Sequence, residues 1–192
     1  MRYCGVTGRG ESIVLIGMMG AGKSSVGACL QRRTNFLLFD IDELVASKFG
    51  TPISEIFSTH GATTFREAES EALREISPAN QAIIVTGGGI LLRRENSEIL
   101  KQHGVIVWLD GDEQILFTRA MKSGNRPLLS GKNPRQAFAH LLKQRLPIYA
   151  RTAQLRVDTS ALTHEEVAIA ILSKLERLKA NAAATRMSAT AR

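Results

Sequence analysis

The chain has 192 residues, 44% of them hydrophobic and 22% charged, which suits one globular domain with a full hydrophobic core. It has no apolar run of the roughly 18 residues that a membrane helix needs, and its start lacks the apolar segment of a signal peptide, so we expect a cytoplasmic protein without a membrane partner. Two cysteines and four scattered histidines give no basis for a disulfide framework or a zinc site.

The net charge of +7 raises the possibility of a nucleic-acid partner. Part of the surplus lies near the C-terminus, where Lys179, Arg186 and Arg192 occur without an acid. Aromatic residues make up only 5% of the chain, and no basic stripe is interleaved with them, so we expect no specific nucleic-acid partner. Residues 179–192 are rich in Ala and Thr without apolar periodicity, and we expect them to be a disordered tail.

Apolar runs and helical patterns alternate along the chain, which is typical of an α/β fold. The runs are short and do not alternate with polar residues, as expected for strands buried on both faces of a parallel sheet. We predict a three-layer α/β/α sandwich in a single domain over residues 1–192, with its core at about 12–178. The predicted strands are 12–16, 36–39, 82–85, 105–109 and 154–157. The predicted helices are 22–34, 42–49, 61–76, 95–103, 112–122, 134–149 and 163–178.

Residues 17–24, Gly-Met-Met-Gly-Ala-Gly-Lys-Ser, fit the phosphate-binding motif G-x-x-x-x-G-K-[ST]. The predicted strand 12–16 precedes the motif and a helical pattern follows it, which is the setting that a P-loop requires. In such a loop the backbone N–H groups surround phosphates, Lys23 adds a positive charge and the Ser24 hydroxyl can bind Mg²⁺. The sequence therefore predicts a site for a nucleoside triphosphate.

Two carboxylates, Asp40 and Asp42, directly follow the predicted strand 36–39. Ligands of open α/β sheets bind at the carboxyl ends of the strands, and residues i and i+2 of an extended chain project to the same side. One carboxylate could hold Mg²⁺, and the other could orient or deprotonate a hydroxyl that attacks the γ-phosphate. An equally good interpretation is that Asp42 only caps the helix that follows.

Arg66 and Glu69 lie three residues apart at the start of a helical pattern and share a face. They could form an arginine fork for a substrate carboxylate, with Glu69 orienting the arginine. Without further context an exposed ion pair is the more common situation, because surface pairs are frequent.

Residues 87–89 are three consecutive glycines that follow the predicted strand 82–85. Such a segment exposes its backbone N–H groups and lets a ligand approach closely. A flexible strand-to-helix turn is the alternative, but it rarely needs three glycines, so we favour a binding role.

Residues 122–134 are rich in Gly, Pro, Asn and Ser, and they predict a mobile surface loop that belongs to a lid of about 119–134. Arg126 lies within this lid and could swing over the triphosphate to stabilise charge on the transferred phosphoryl group. For Arg126, Arg119 or Arg145 taken alone, a solvated surface role is the better interpretation.

Taken in this order, the motifs resemble those of the shikimate kinase family. The resemblance extends from about residue 12 to 176, nearly the whole chain, and the combination is far more specific than the P-loop alone. The segments that carry it are Gly17–Ser24, Asp40-Ile41-Asp42, Phe65-Arg66-Glu67-Ala68-Glu69, Thr86-Gly87-Gly88-Gly89, Arg126-Pro127-Leu128-Leu129 and Arg145-Leu146-Pro147-Ile148-Tyr149.

The resemblance implies the fold of the nucleoside monophosphate kinases, with a five-stranded parallel sheet and a lid. It implies transfer of the γ-phosphate of ATP to the 3-hydroxyl of shikimate, giving shikimate 3-phosphate and ADP, in the pathway to chorismate and the aromatic amino acids. Mg²⁺ is the implied cofactor, and ATP and shikimate are the implied partners. We expect a monomer.

The same resemblance implies a role for each motif. Lys23, Asp42 and Arg126 would be the catalytic residues. Ser24 would bind Mg²⁺, and Asp40 would hold it through water. The residues that would bind ATP are Gly20, Ala21, Gly22, Lys23, Ser24, Ser25, Arg119 and Arg126. The residues that would bind shikimate are Asp42, Phe57, Phe65, Arg66, Gly87, Gly88, Gly89 and Arg145.

For five of these side chains the resemblance implies a particular contact with the ligand. Arg66 and Arg145 would hold the carboxylate of shikimate, while Phe57 and Phe65 would form an apolar wall against its ring. Arg119 would stack on adenine, and the segment after the last strand would complete the adenine pocket.

Two other classes of protein are the alternatives. A kinase of gluconate or of a nucleoside monophosphate would share the P-loop, but we would not expect Arg66 and Arg145 together with three glycines. A kinase-like ligand-sensing domain of a transcription regulator would carry a helix-turn-helix domain before the P-loop, for which the 16 residues before Gly17 are too few.

Overall fold

The structure is a computed structural model that describes residues 12–77, 81–122 and 127–190, with side chains as far as residue 184. Five strands in these residues form one sheet. They are β1 (Ser12–Gly17), β2 (Leu37–Asp40), β3 (Ala82–Val85), β4 (Gly104–Asp110) and β5 (Leu155–Asp158). Every pairing is parallel and the strand order is β2-β3-β1-β4-β5, which confirms the predicted five-stranded parallel sheet.

Seven α-helices in the described residues complete the α/β/α sandwich. They are α1 (Lys23–Thr34), α2 (Ile41–Phe49), α3 (Ile53–Glu75), α4 (Arg94–His103), α5 (Glu113–Lys122), α6 (Pro134–Thr152) and α7 (His164–Thr190). Two short 3₁₀ turns, Ile90–Leu92 and Pro127–Leu129, precede α4 and α6.

The core of the fold lies along the three central strands. Every residue of β1 and β3 is buried, as is all of β4 after its first glycine. In the register of the sheet, Ile13 of β1 lies between Ile83 and Val105. Continuous apolar runs are required here because helices cover both faces of these strands, and this is why short unbroken runs predicted them well.

The strand order brings the carboxyl ends of β2, β3 and β1 to one edge of the sheet as neighbours. Residues after β1 form the P-loop, residues after β3 are the three glycines, and Asp40 ends β2. Segments far apart in sequence therefore meet at the edge where ligands of open α/β sheets bind.

Helix α3 begins earlier than the sequence pattern indicates. The prediction was a helix over 61–76, whereas the structure has helical turns from Ile53, interrupted at Gly61 by a φ of 79°. Ile56 of this first part is fully buried. The stretch before Gly61 spans only two turns, which is too short for a clear apolar period.

The C-terminal segment also differs from expectation. We expected residues 179–192 to be a disordered tail, but α7 continues through Thr190. Its side chains from residue 176 to residue 184 are all exposed, so packing does not explain the extension. The reason is local, because alanine has the highest intrinsic helix propensity and residues 180–184 contain four alanines.

None of the helices in the part of the chain that the structure describes is long and apolar enough to cross a membrane.

Deleting residues 182–192 should leave the thermal unfolding temperature within about 2 °C of the full chain, because the described side chains of that segment are exposed. Ile171→Ala provides the contrast, because Ile171 is fully buried in α7 and its truncation should cost about 2–5 kcal/mol. Differential scanning calorimetry compares the two. A deletion as destabilising as Ile171→Ala would show that the end of α7 packs on the domain.

Candidate active site

The loop between β1 and α1 has a conformation that only glycine accepts at three positions. Gly17, Gly20 and Gly22 have φ values of 142°, 85° and 82°. A Cβ atom on Gly17 would lie 2.3 Å from the Leu109 carbonyl oxygen, and one on Gly20 would lie 2.1 Å from that of Leu116. The loop is therefore pressed against β4 and α5, which explains why the motif has glycine at these positions.

Lys23 lies at the start of α1 and folds back over this loop. Its Nζ donates to the carbonyl oxygens of Gly17 at 2.9 Å and Met18 at 3.0 Å. The ammonium group is therefore held next to the backbone that would surround the phosphates, as the motif predicts.

Ser24 and Asp40 form the link between the P-loop and the end of β2. The Ser24 hydroxyl donates to Asp40 Oδ2 at 2.7 Å, while Asp40 Oδ1 accepts from the Asp42 backbone N–H at 3.0 Å. A hydroxyl and a carboxylate in contact supply oxygen ligands of the kind that Mg²⁺ binds in kinase sites. These residues therefore fit the ion.

The alternative interpretation of Asp42 as a helix cap is wrong. Asp40 is the N-cap of α2, because its side chain accepts from the N–H two residues later. The chain is also not extended at Asp42, which lies in the first turn of α2. Both carboxylates nevertheless line the same cavity, since the helix begins where the strand ends.

Two cavities open at this edge of the sheet. The larger, about 500 Å³, is the donor cavity, and it contains the P-loop. The smaller, about 80 Å³, is the acceptor cavity. Met19, Asp42 and Gly88 line both cavities, so the two meet at these residues. The predicted residues that line the acceptor cavity are Asp42, Phe57, Phe65, Arg66, Gly87, Gly88, Gly89 and Arg145.

The glycines at 87–89 leave space for charged side chains. A Cβ atom on Gly87 would lie 2.3 Å from Glu69 Oε1 and 2.6 Å from Asp42 Oδ1. A Cβ atom on Gly89 would lie 2.3 Å from Arg66 Nη2. The segment is therefore more than a flexible turn, because its backbone packs directly against the ionisable groups of the acceptor cavity.

Arg66 and Glu69 form a buried ion pair rather than the exposed pair that is common on helices. Arg66 Nη1 donates to Glu69 Oε2, and the two side chains are 16% and 0% exposed. Burial raises the pKa of Glu69 to about 7, although the neighbouring guanidinium of Arg66 favours the ionised form. Phe65 supports the pair, since the Arg66 guanidinium lies 5.2 Å from the centre of its ring.

Arg145 on α6 is the second arginine of the acceptor cavity. The residue is only 3% exposed, and its Nε has no hydrogen-bond partner among the described residues. Its Nη1 contacts the Met18 sulfur at 3.8 Å and lies 3.2 Å from the position of a Cβ on Gly88. Burial lowers the pKa of Arg145, yet an arginine stays charged in proteins. Two arginines in one small cavity favour an anionic ligand there.

Arg119 on α5 is fixed at the donor cavity, where the resemblance implied contact with adenine. Its guanidinium donates to the carbonyl oxygens of Thr159 at 2.9 Å and Ser160 at 3.1 Å. The segment after β5 thus holds this arginine in place, and Arg119 lines the cavity together with the P-loop.

The donor cavity is also lined by two titratable residues that the sequence did not predict as site residues. His164 at the start of α7 and Lys122 at the end of α5 both line it, and a Cβ atom on Gly22 would lie 3.1 Å from the His164 ring. A signal was present, because His164 begins a helix shortly after the last strand, at the carboxyl edge of the sheet.

Arg126 lies outside the described residues, as do positions 123–125 of the lid at 119–134. Its role therefore stays a prediction. The described residues of the lid that line the acceptor cavity are Pro127 and Leu128.

Comparison with known proteins gives a consistent result. The family model described as shikimate kinase matches residues 19–176. A shikimate kinase of Thermodesulfovibrio yellowstonii is 44% identical over 168 residues, covering 88% of this chain and 96% of the relative. The solved structure of an Acinetobacter baumannii shikimate kinase in complex with shikimate superposes with a TM-score of 0.84 at 34% identity, covering 88% and 94% of the two chains. An Aquifex aeolicus shikimate kinase gives a TM-score of 0.73 at 32% identity, covering 88% and 98%.

The raised pKa of Glu69 should make the stability of the fold depend on pH. Between its ordinary value of 4.5 and about 7, the folded protein keeps a proton that the unfolded chain releases. The contribution of Glu69 to the free energy of unfolding is therefore fully present at low pH and is lost as the pH rises through this window. In Glu69→Gln this contribution to the pH dependence should vanish.

Unfolding temperatures at about pH 5 and about pH 8 test this expectation. Glu67→Gln is the matched control, because Glu67 lies on the same helix but is exposed and paired with Arg93. We expect the unfolding temperature to fall less between the lower and the higher pH in Glu69→Gln than in wild type. Glu67→Gln should show the same decrease as wild type. Equal drops in wild type and both variants would contradict the assignment.

Proposed function

Since the chain belongs to the shikimate kinase family and is an ATP-dependent kinase that phosphorylates shikimate, we propose which of its residues bind each substrate and which take part in the transfer. The observation that carries the proposal is the meeting of two cavities at Asp42, one built on the P-loop and the other on two buried arginines. The γ-phosphate would reach this meeting point from the donor side and the 3-hydroxyl of shikimate from the acceptor side.

The donor side binds ATP through the P-loop. The backbone N–H groups of residues 20–25 surround the phosphates, and Lys23 places its ammonium group on the β- and γ-phosphates. Ser24 and Asp40 would hold Mg²⁺, and the 2.7 Å hydrogen bond between their side chains supports this pairing. When bound, Mg²⁺ neutralises charge that develops on the phosphates.

The acceptor side binds shikimate through its carboxylate. Arg66 and Arg145 hold this group with charge-assisted hydrogen bonds, for which the planar guanidinium is well suited. The rings of Phe57 and Phe65, whose centres are 4.6 Å apart, form the apolar wall against the ring of the substrate. Their position in the acceptor cavity supports this role.

Asp42 binds the reacting hydroxyl. As the hydroxyl oxygen attacks the γ-phosphorus, the bond to the β-phosphate oxygen breaks and ADP leaves. The hydroxyl proton moves either to the Asp42 carboxylate during transfer or to solvent water after transfer. Both versions require the carboxylate to lie between the two cavities, where it is found.

Arg119 and Arg126 complete the donor side of the proposal. Arg119 stacks its guanidinium on adenine, and its hydrogen bonds to the segment after β5 support a fixed orientation. Arg126 contacts the transferred phosphoryl group when the lid at 119–134 closes and excludes water. The protein would act as a single-domain cytoplasmic monomer without a specific nucleic-acid partner.

A coupled assay of ADP release tests the activity, with shikimate, gluconate and nucleoside monophosphates offered separately. Among these acceptors we expect turnover only with shikimate. This turnover should be lost when Mg²⁺ is removed with a chelator. Turnover with gluconate but not with shikimate would contradict the proposed acceptor. Turnover that survives chelation would contradict the role of Ser24 and Asp40.

Gly89→Ala should weaken shikimate binding without affecting ATP. The added methyl would lie 2.3 Å from Arg66 Nη2, and the end of this flexible side chain can move away without unfolding the protein. Loss of its bonds to a carboxylate should raise the KM for shikimate by roughly 10- to 100-fold. The KM for ATP is the internal control and should stay within about twofold. An unchanged KM for shikimate would show that Arg66 does not contact the substrate.

A further inference from the structure

We propose that Tyr149 is a positioning residue that fixes both the Arg145 guanidinium and the Gly88–Gly89 peptide for the carboxylate of the acceptor. This inference rests on the proposed function, in which that carboxylate lies beside Arg66 and Arg145. Tyr149 itself is absent from the residues that line the acceptor cavity, so its effect on the substrate is exerted through these neighbours.

The phenol of Tyr149 bridges two separate elements of the site. Tyr149 follows Arg145 by one turn of α6, so the two side chains share a face of the helix. Its hydroxyl donates to the Gly88 carbonyl oxygen at 2.5 Å. The guanidinium of Arg145 lies close enough to this hydroxyl to lower the pKa of the phenol. One oxygen atom thus joins helix α6 to the glycine segment that follows β3.

The bond to Gly88 sets the direction of a backbone donor. The Gly88 carbonyl and the Gly89 N–H belong to one planar trans peptide group, in which they point in opposite directions. Because the carbonyl points to Tyr149, the Gly89 N–H points away from it. Gly89 lines the acceptor cavity, and this fixed N–H is suited to an anionic oxygen there.

The phenol keeps its proton and can therefore always donate this bond. Tyr149 is 2% exposed, and burial raises its pKa to about 12 even though the charge of Arg145 lowers it. The groups that face it include Arg145, Arg66 and Glu69. No ionisation of Tyr149 is involved in its role.

The ring of Tyr149 is held from its other side by Trp108 of β4. The centres of the two rings are 6.0 Å apart, and the guanidinium of Arg156 lies 4.7 Å from the Trp108 ring. Arg156 is in turn held by Asp110, whose Oδ2 accepts from its Nε at 2.8 Å. A phenol packed in this way has one orientation, which is the requirement for a supporting residue that acts through its neighbours.

Tyr149→Phe removes the hydroxyl and keeps the ring. We expect the KM for shikimate to rise roughly tenfold, because the carbonyl of Gly88 loses its donor and the guanidinium of Arg145 loses a polar neighbour. The KM for ATP should stay within about twofold. A purely structural role would lower stability and affect both substrates alike.

The decisive comparison uses two acceptors with wild type and the variant. One acceptor is shikimate, and the other is its alcohol analogue, in which a CH₂OH group replaces the carboxylate. We expect wild type to prefer shikimate in kcat/KM, and Tyr149→Phe to reduce this preference roughly tenfold. Trp108→Phe is the matched control, because it alters the packing of the same ring but keeps the hydroxyl bridge, and it should keep the preference.

An equal loss on both acceptors in Tyr149→Phe would overturn the inference, because the hydroxyl would then not act on the carboxylate site. A wild type without any preference for shikimate would instead overturn the proposed carboxylate site, and the inference with it. The two failures are distinguishable, since the second is visible before any variant is made.

If Tyr149→Phe does not fold, a second measurement that needs no substitution in the core can test the inference. The chain has two tyrosines, so fluorotyrosine incorporated into a Tyr3→Phe protein labels Tyr149 alone. We expect its ¹⁹F resonance to shift when shikimate binds and to shift far less with the alcohol analogue. Equal shifts with both acceptors would overturn the inference.

Discussion

The acceptor cavity contains arginines and carboxylates that are largely withdrawn from solvent, and charged groups tolerate burial only when they are paired and hydrogen-bonded. Here the pairing depends on the absence of side chains at residues 87–89. Glu69 and Asp42 face Gly87, while the guanidinium of Arg66 faces Gly89 at a distance that no Cβ would allow. Any larger residue would force these charges apart. The rest of the site is arranged around this close approach of backbone and charge.

The parallel sheet turns this local arrangement into a site for two substrates. Because β3 lies between β2 and β1, the glycines that follow it are flanked by Asp40 on one side and the P-loop on the other. The phosphate loop and the buried arginines are therefore separated only by the residues that line both cavities. Phosphoryl transfer needs mainly such positioning of donor and acceptor, together with stabilisation of charge.

Much of this could be predicted from the sequence, and the rest depends on contacts that no local pattern reveals. Continuous apolar runs located β1 to β4, whereas β5 alternates apolar and charged residues. The P-loop motif located the glycine-rich loop between β1 and α1. The spacing of Arg66 and Glu69 gave a shared helix face but not its burial, which comes from the distant glycine segment. The sequence left open whether Asp42 caps α2, and only the backbone geometry assigns the cap to Asp40, the last residue of β2. His164 was overlooked because it lies beside Gly22 only in the folded chain, far from the P-loop in sequence.

We propose that the acceptor cavity orients shikimate by its carboxylate and presents the 3-hydroxyl to Asp42. A crystal structure of the protein with shikimate and ADP tests it most directly. We expect carboxylate oxygens within hydrogen-bonding distance of both Arg66 and Arg145, with the 3-hydroxyl as the substrate oxygen nearest the Asp42 carboxylate. A carboxylate bound away from both arginines, or a different hydroxyl beside Asp42, would contradict it.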